Sequence, residues 1–192
     1  MIALTGDIVD EDHDSISSVE DLLKGIKDLA PIYFVTGNHE LTSLAATQYQ
    51  ELLALFQNYG VTDLDNDSVK LKKGGQSITL YGRQYFSQYL TDSLPIASDK
   101  DFDILLYHGS DNFKEIAPYH YDLILSGHAH GGIVRLPIWG GIFGNDGTFF
   151  PEYAGGEYTI GDATLISSRG LGDASIPRFN NPPELVVIKL NP

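Results

Sequence analysis

Four short apolar runs along the chain end abruptly in polar residues. Ile2-Ala3-Leu4 leads into Thr5-Gly6-Asp7, and Ile32-Tyr33-Phe34-Val35 into Thr36-Gly37-Asn38-His39-Glu40. Ile104-Leu105-Leu106-Tyr107 leads into His108, and Leu123-Ile124-Leu125 into Ser126-Gly127-His128-Ala129-His130. A brief continuous apolar run without alternation is the signature of a strand buried on both faces. Helical patterns lie between the first runs. Overlapping capping signals at Ser17 to Asp21 precede Leu22, Leu23, Ile26 and Leu29 at helical spacing. Thr42 and Ser43 precede Ala45, Ala46, Tyr49, Leu52, Leu53 and Phe56, with Gly60 placed to end that helix.

The remainder is more strand-like. Val69 to Tyr81, interrupted by Lys72-Lys73-Gly74-Gly75, predicts a hairpin. Residues 131–156 hold many glycines and aromatics with weak periodicity and predict a long surface loop. Closing strands are expected at 157–160, 163–167 and 185–190. Strand alternating with helix implies one layered α/β domain over residues 1–192, with no internal repeat or linker.

Composition narrows the function classes. A chain of 192 residues with 42 % hydrophobic content can bury a real core. No apolar run approaches the roughly 20 residues needed to span a bilayer, and the N-terminus lacks a signal-peptide pattern. The chain as written therefore reads as cytoplasmic. The absence of cysteine excludes a thiolate metal site. A formal charge of −14 with no basic stripe argues against a nucleic-acid partner. Carboxylates and histidines gathered around divalent cations would give part of that charge a purpose.

The strand ends carry the chemistry. In open α/β sheets ligands gather beyond the carboxyl ends of the strands, and four of the six histidines fall at such ends beside an Asp and an Asn. Imidazole, carboxylate and amide oxygen without thiolate suit zinc, iron or manganese. Asp7 can offer one carboxylate oxygen to each of two cations. His128 and His130, at i and i+2, would point the same way in extended backbone and could serve different ions. The glycines before Asp7, Asn38 and His128 leave room for unusual backbone conformations.

Gly6-Asp7-Ile8-Val9-Asp10, Gly37-Asn38-His39-Glu40, the lone His108 and Gly127-His128-Ala129-His130 together resemble the calcineurin-like metallophosphoesterases. Ser168-Arg169-Gly170-Leu171-Gly172 and the later Pro177-Arg178 to Pro183-Glu184 look like the bacterial branch that includes hydrolases of UDP-diacylglucosamine. The resemblance implies a four-layer α-β-β-α sandwich and a hydrolase of phosphate esters or anhydrides. It implies two divalent metal ions, manganese, iron or zinc, which activate a bridging hydroxide. Carried over, Asp7 would bridge the metals and Asn38, His108 and His128 would complete the second metal's ligands. His130 would reach the first metal, and His39 would be catalytic beside the scissile phosphate. The family's opening Asp-x-His motif is absent, and Asp12-His13-Asp14 follows Asp7 in a polar loop and does not replace it. The expectation is a chain that starts inside the fold, without its first strand and helix, and that retains only one of the two ions.

Other residues divide less sharply. Asp10 either caps the next helix, braces a ligand or touches substrate, and Glu40 reads as an acid favoured by a helix N-terminus. His13 and His120 read as surface or packing residues. Arg169 and Arg178 could clamp a phosphate or form ordinary salt bridges. Trp139, Phe143, Phe149, Phe150 and Tyr153 read as loop packing, with a substrate wall or acyl-chain binding as the alternative. A phosphorylated small molecule or a lipid-linked nucleotide is the expected substrate, with membrane association only through a segment preceding Met1. The competing reading is a non-catalytic scaffold on the same fold, metal-poor because the first motif is absent.

Overall fold

The computed structural model describes residues 1–10, 16–85, 90, 94–98, 101–144, 147–172 and 177–191. Asp12, His13 and Asp14 lie outside the described residues. The first half of the chain alternates strand and helix. It runs through β1 (Ile2–Leu4), α1 (Ile16–Ile26), β2 (Ile32–Phe34), the short α2 (Asn38–Thr42), α3 (Ala46–Tyr59) and β3 (Val61–Asp63). Gly60 caps α3 in the left-handed region at φ 69°, where a side chain would be strained. The strands β1, β2 and β3 form a parallel sheet in that order.

The second sheet has the order β10-β11-β7-β6-β5-β4. Its members are β4 (Ser68–Lys73), β5 (Gln76–Arg83), β6 (Phe102–Gly109), β7 (Leu123–Gly127), β10 (Gly156–Ile160) and β11 (Ala163–Ser167). The β4–β5 hairpin turns at Gly74 and Gly75, both at positive φ, as the two-residue turns of twisted hairpins require. The parallel pairs β5–β6, β6–β7 and β7–β11 form its centre.

Period-two alternation sorts the side chains into layers. On β2, Ile32 and Phe34 face α1 and α3, packing with Val19, Leu23, Leu52 and Phe56. Tyr33 and Val35 face the other way and join Leu80, Ile104, Leu106, Leu123 and Leu125 of the larger sheet. On β6 the neighbours of Ile104 and Leu106, Leu105 and Tyr107, face outward against Phe113 and Ile116 of α4 (Phe113–Ile116) and against Tyr121 and Tyr153. Three apolar interfaces thus separate four layers, as the α-β-β-α expectation requires, although the last layer is one short helix with its flanking loops.

Three expectations need correction. Residues 131–156 are not a bare loop, because β8 (Val134–Leu136) and β9 (Gly140–Phe143) form a small antiparallel hairpin within them. The segment 185–190 carries the apolar residues of a strand but pairs with no strand among the described residues, and Leu185 and Val187 stand exposed. β1 is only half-buried, whereas β2, β6 and β7 match a buried run. No helix among the described residues is long and apolar enough to cross a membrane.

Phe34 is fully buried and its ring lies 4.7 Å from that of Phe56 at the helix–sheet interface. Phe34→Ala should lower stability by about 3–5 kcal/mol through lost contact and a cavity. Urea unfolding of the variant measures this, and an unchanged midpoint would contradict the layer assignment.

Candidate functional site

The carboxyl ends of β1, β2, β6 and β7 meet at one seam between the two sheets. Asp7 and Asn38 arrive from the smaller sheet, His108 and His128 from the larger. His108 Nε2 lies 3.0 Å from Asp7 Oδ2, 3.2 Å from Asn38 Oδ1 and 3.1 Å from His128 Nδ1. One ligating atom each from Asp7, His108 and His128 all lie within 4.8 Å of one another. Asp7 Oδ2 and Asn38 Oδ1 can only accept and each imidazole nitrogen offers a lone pair or a proton according to its tautomer, an arrangement that a positive charge among them would satisfy.

The tautomer of His108 sharpens that need. Its Nδ1 is 2.6 Å from the Thr5 carbonyl, which can only accept, so Nδ1 carries a proton and Nε2 is the atom turned to the cluster. Burial by itself would lower the His108 pKa. The adjacent Asp7 carboxylate and the Thr5 carbonyl outweigh burial and hold it above the usual histidine value. Burial likewise raises Asp7, but His108 and the His39 amide overcome this and leave its pKa lowered. A proton on His108 satisfies the cluster in one way and a divalent cation in another. Ligands about 2.0–2.1 Å from a zinc-sized ion stand roughly 2.9–3.4 Å from their neighbours. The three contacts around His108 Nε2 match that spacing.

The loops that carry Asp7 and Asn38 are held together by one carboxylate. Glu40 Oε2 accepts the amides of Asp7 at 2.8 Å and Gly37 at 2.7 Å. Its Oε1 accepts Ile8 at 2.8 Å and Val9 at 3.3 Å. Glu40 is 1 % exposed. Burial, then the neighbouring Asp7, raise its pKa against the pull of these amides. Glu40 stands in the first turn of α2, as its sequence position suggested, and is buried there with its carboxylate taken up by these amides. The same loops touch so closely that a Cβ on Gly6 would stand 2.4 Å from Gly37 N, and one on Gly37 would stand 2.2 Å from Asp7 Oδ1. Glycine at both positions is a steric requirement.

His39 lies at the rim of the cluster. Its amide donates to Asp7 Oδ1 at 2.9 Å, its Nε2 is 3.8 Å from Asp7 Oδ2, and its Nδ1 is 3.3 Å from Ser43 Oγ. His130 lies outside the four-atom cluster. Asp7 (φ 53°), His128 (φ 68°) and His130 (φ 50°) all occupy the left-handed region. The argument that His128 and His130 share a face of an extended strand therefore fails. Strain of this kind costs on the order of 1–3 kcal/mol per residue and concentrates at functional sites. His130 Nδ1 is buried and has no hydrogen-bond partner among the described residues. Burial and then Arg178 push its pKa down to about 4, so it stays a neutral imidazole. Its carbonyl accepts from Asn181 Nδ2 at 2.6 Å.

The weaker candidates fare differently. Asp10 is exposed and not among the clustered ligand atoms. Arg169 pairs with Glu184 at 2.8 Å, and Arg178 gives Nη1 to the Arg169 carbonyl at 2.8 Å and Nη2 to that of Gly172. The salt-bridge reading of Arg169 accounts for these contacts. His120 is exposed at the end of the 3-10 turn after α4. Tyr85 was not singled out by the sequence, yet its ring centroid lies 5.3 Å from that of His108 and 5.4 Å from that of His128. No motif marks it, because its role follows from where β5 ends in space.

Comparison with known proteins identifies the family. Residues 1–132 match the model of the calcineurin-like phosphoesterase family. The chain is 28 % identical over 198 residues to the uncharacterized metallophosphoesterase YkuE of Bacillus subtilis, covering 99 % of this chain and 67 % of that protein. It is 33 % identical over 94 residues to the UDP-2,3-diacylglucosamine pyrophosphatase LpxG of Chlamydia trachomatis, covering 45 % of this chain and 28 % of that protein. The sulfate thiohydrolase SoxB of Termus thermophilus has a similar fold. Its TM-score is 0.54 at 16 % identity, over 87 % of this chain and 33 % of that one. The chain thus spans only part of the length of each.

Glu40→Ala would strip an acceptor from four loop amides. Even with water reaching some of them, a loss of about 3 kcal/mol is expected. Glu40→Gln, which keeps one carbonyl oxygen, should lose less. Urea unfolding that ranks both variants with wild type would contradict the bridging role.

Proposed function

Because the chain belongs to the calcineurin-like phosphoesterase family, we propose that it hydrolyses phosphate esters or anhydrides with divalent metal held at the Asp7–Asn38–His108–His128 cluster. The single observation that carries this reading is the convergence of four candidate ligand atoms from two sheets around His108 Nε2, with His108 held by Thr5 in the tautomer a metal ligand requires. A cluster of this kind is a costly way to build a merely structural loop contact. Its N/O donor set suits manganese, iron or zinc.

Asp7, Asn38, His108 and His128 would hold the ion. A divalent cation bound there supplies Lewis acidity toward phosphoryl oxygens and acidifies water. The protein groups supply the rest. His39, at the rim with Ser43 on its Nδ1, is the candidate to give a proton from Nε2 to the departing ester oxygen as water adds to phosphorus. The amide of His39 on Asp7 Oδ1 fixes that carboxylate so that Oδ2 faces the cluster. His130, neutral and with an unpartnered buried nitrogen, is the candidate ligand for a second ion. That ion has fewer donors in this chain and is expected to bind more weakly.

The likeness to LpxG supports a phosphoanhydride on a lipid-linked nucleotide as one substrate class, with small phosphodiesters as the other. A panel of p-nitrophenyl phosphate, bis-p-nitrophenyl phosphate and UDP-diacylglucosamine separates them.

Asp7→Ala and His128→Ala should each reduce metal-dependent p-nitrophenyl phosphate turnover to background. Metal analysis after dialysis against manganese should find about one tightly held ion per wild-type chain and none in Asp7→Ala. Unchanged turnover in both variants would defeat the assignment. Two tightly held ions would defeat the weaker second site.

A further inference from the structure

The exit of β2 is held by a carboxylate that the reading so far leaves without a role. Asp65 follows β3 at the same end of the smaller sheet. Its Oδ1 accepts the Thr36 amide at 2.9 Å and its Oδ2 accepts the Thr36 hydroxyl at 2.7 Å. Gln84 Nε2, beyond β5, approaches the same Oδ2 at 3.4 Å. Thr36 is fully buried, and the ladder that precedes it ends with the Leu64 amide on the Phe34 carbonyl at 2.9 Å. Asp65 therefore continues the β2–β3 pairing one residue past the last backbone rung, using a side chain where the backbone has begun to turn.

Three successive assignments then fix the turn that carries Asn38 and His39. The Thr36 amide goes to Asp65, the Gly37 amide to Glu40 and the His39 amide to Asp7, each carboxylate arriving from a different segment. Removing one of the three lets the peptide planes at 36 and 37 rotate, and Asn38 Oδ1 sits only two residues further on. Among the described residues Asp65 accepts hydrogen bonds from Thr36 and Gln84, and not from Asn38 or His108, so its influence on the cluster passes through the backbone. Burial, with Asp63 and Glu40 nearby, raises its pKa to about 6 against the two Thr36 hydrogen bonds, so the carboxylate is kept where it is at some electrostatic expense. Such expense is unusual for an acid that merely decorates a loop.

We propose that Asp65 is a positioning residue for the site, clamping Thr36 so that the Gly37–His39 turn presents Asn38 to His108 and His39 to Asp7. The consequence for metal binding rests on the phosphoesterase reading above. The clamp itself does not.

The test compares wild type with Asp65→Ala, Asp65→Asn and Thr36→Val. Amide hydrogen exchange across residues 36–40, read on metal-free protein, should accelerate in Asp65→Ala. Asp65→Asn should stay close to wild type, because its carbonyl can still accept the Thr36 amide and its amide can pair with the hydroxyl. Manganese affinity by calorimetry should fall about 10- to 100-fold in Asp65→Ala, the range found for residues that orient ligands without touching the ion. Turnover of p-nitrophenyl phosphate should lose more in kcat than it changes in KM. Exchange and affinity that match wild type in Asp65→Ala overturn the proposal, as does an equal loss in Asp65→Asn. A wild-type protein without manganese affinity defeats the phosphoesterase reading alone, and the exchange rates then decide the clamp. Should Asp65→Ala not fold, Thr36→Val carries the same comparison by removing the hydroxyl only, and unchanged exchange in it counts against the proposal.

Discussion

The Glu40 carboxylate is the interaction on which the site depends. Two loops leave adjacent parallel strands and carry the residues that must meet. Loops leaving parallel strands have no ladder to hold them together once the strands end. Glu40 replaces that ladder with four backbone amides from both loops, gathered on two oxygens in a buried position. The glycines at 6 and 37 follow from the same constraint, since the loops are drawn too close for a Cβ on either. Asp7 then takes the His39 amide and is left with its second oxygen for the cluster.

Against this anchored half stands the half contributed by the larger sheet. His108 leaves β6, where Ile104 and Leu106 face the smaller sheet, and it reaches Thr5 across the seam. His128 leaves the neighbouring parallel strand β7, and Tyr85 packs against both imidazoles. The apolar contact between the sheets, centred on Val35, Leu80, Leu106 and Leu125, therefore sets the distance between the two halves of the site. Packing and polar geometry are coupled here: cores are dense and resist small displacements, so the seam holds the donor atoms at fixed spacing.

Much of this could be read along the chain. The apolar runs at 32–35, 104–107 and 123–125 were strands because only a strand buried on both faces tolerates an unbroken apolar stretch of that length. Asp7, Asn38, His108 and His128 stood out because each ends such a run, and strand ends on one side of a sheet share one edge. Less was legible where the signal was local but the cause was not. Glu40 was legible as a helix-start acid, but its bridge to the other loop was not, since Asp7, Ile8 and Val9 lie more than thirty residues away. The 185–190 segment has the composition of a strand, but composition does not supply a pairing partner. His128 and His130 were expected on one face, and the left-handed backbone at both removed the periodicity on which that expectation stood.

What the sequence by itself determined is the inventory: which strands are buried, which polar residues close them, and that nitrogen and oxygen donors without sulfur would form any metal site. Those properties depend on residue type and near-neighbour spacing, and near neighbours fix them. What only the tertiary structure decided is assembly. Two different sheets, and not one edge, meet to form the cluster. Tyr85 packs on it, and Asp65 holds Thr36 beside it, because β5 and β3 happen to end there. Arg169 is engaged by Glu184 fifteen residues away. These depend on how layers pack and on contacts between residues far apart in the chain, which no local pattern encodes.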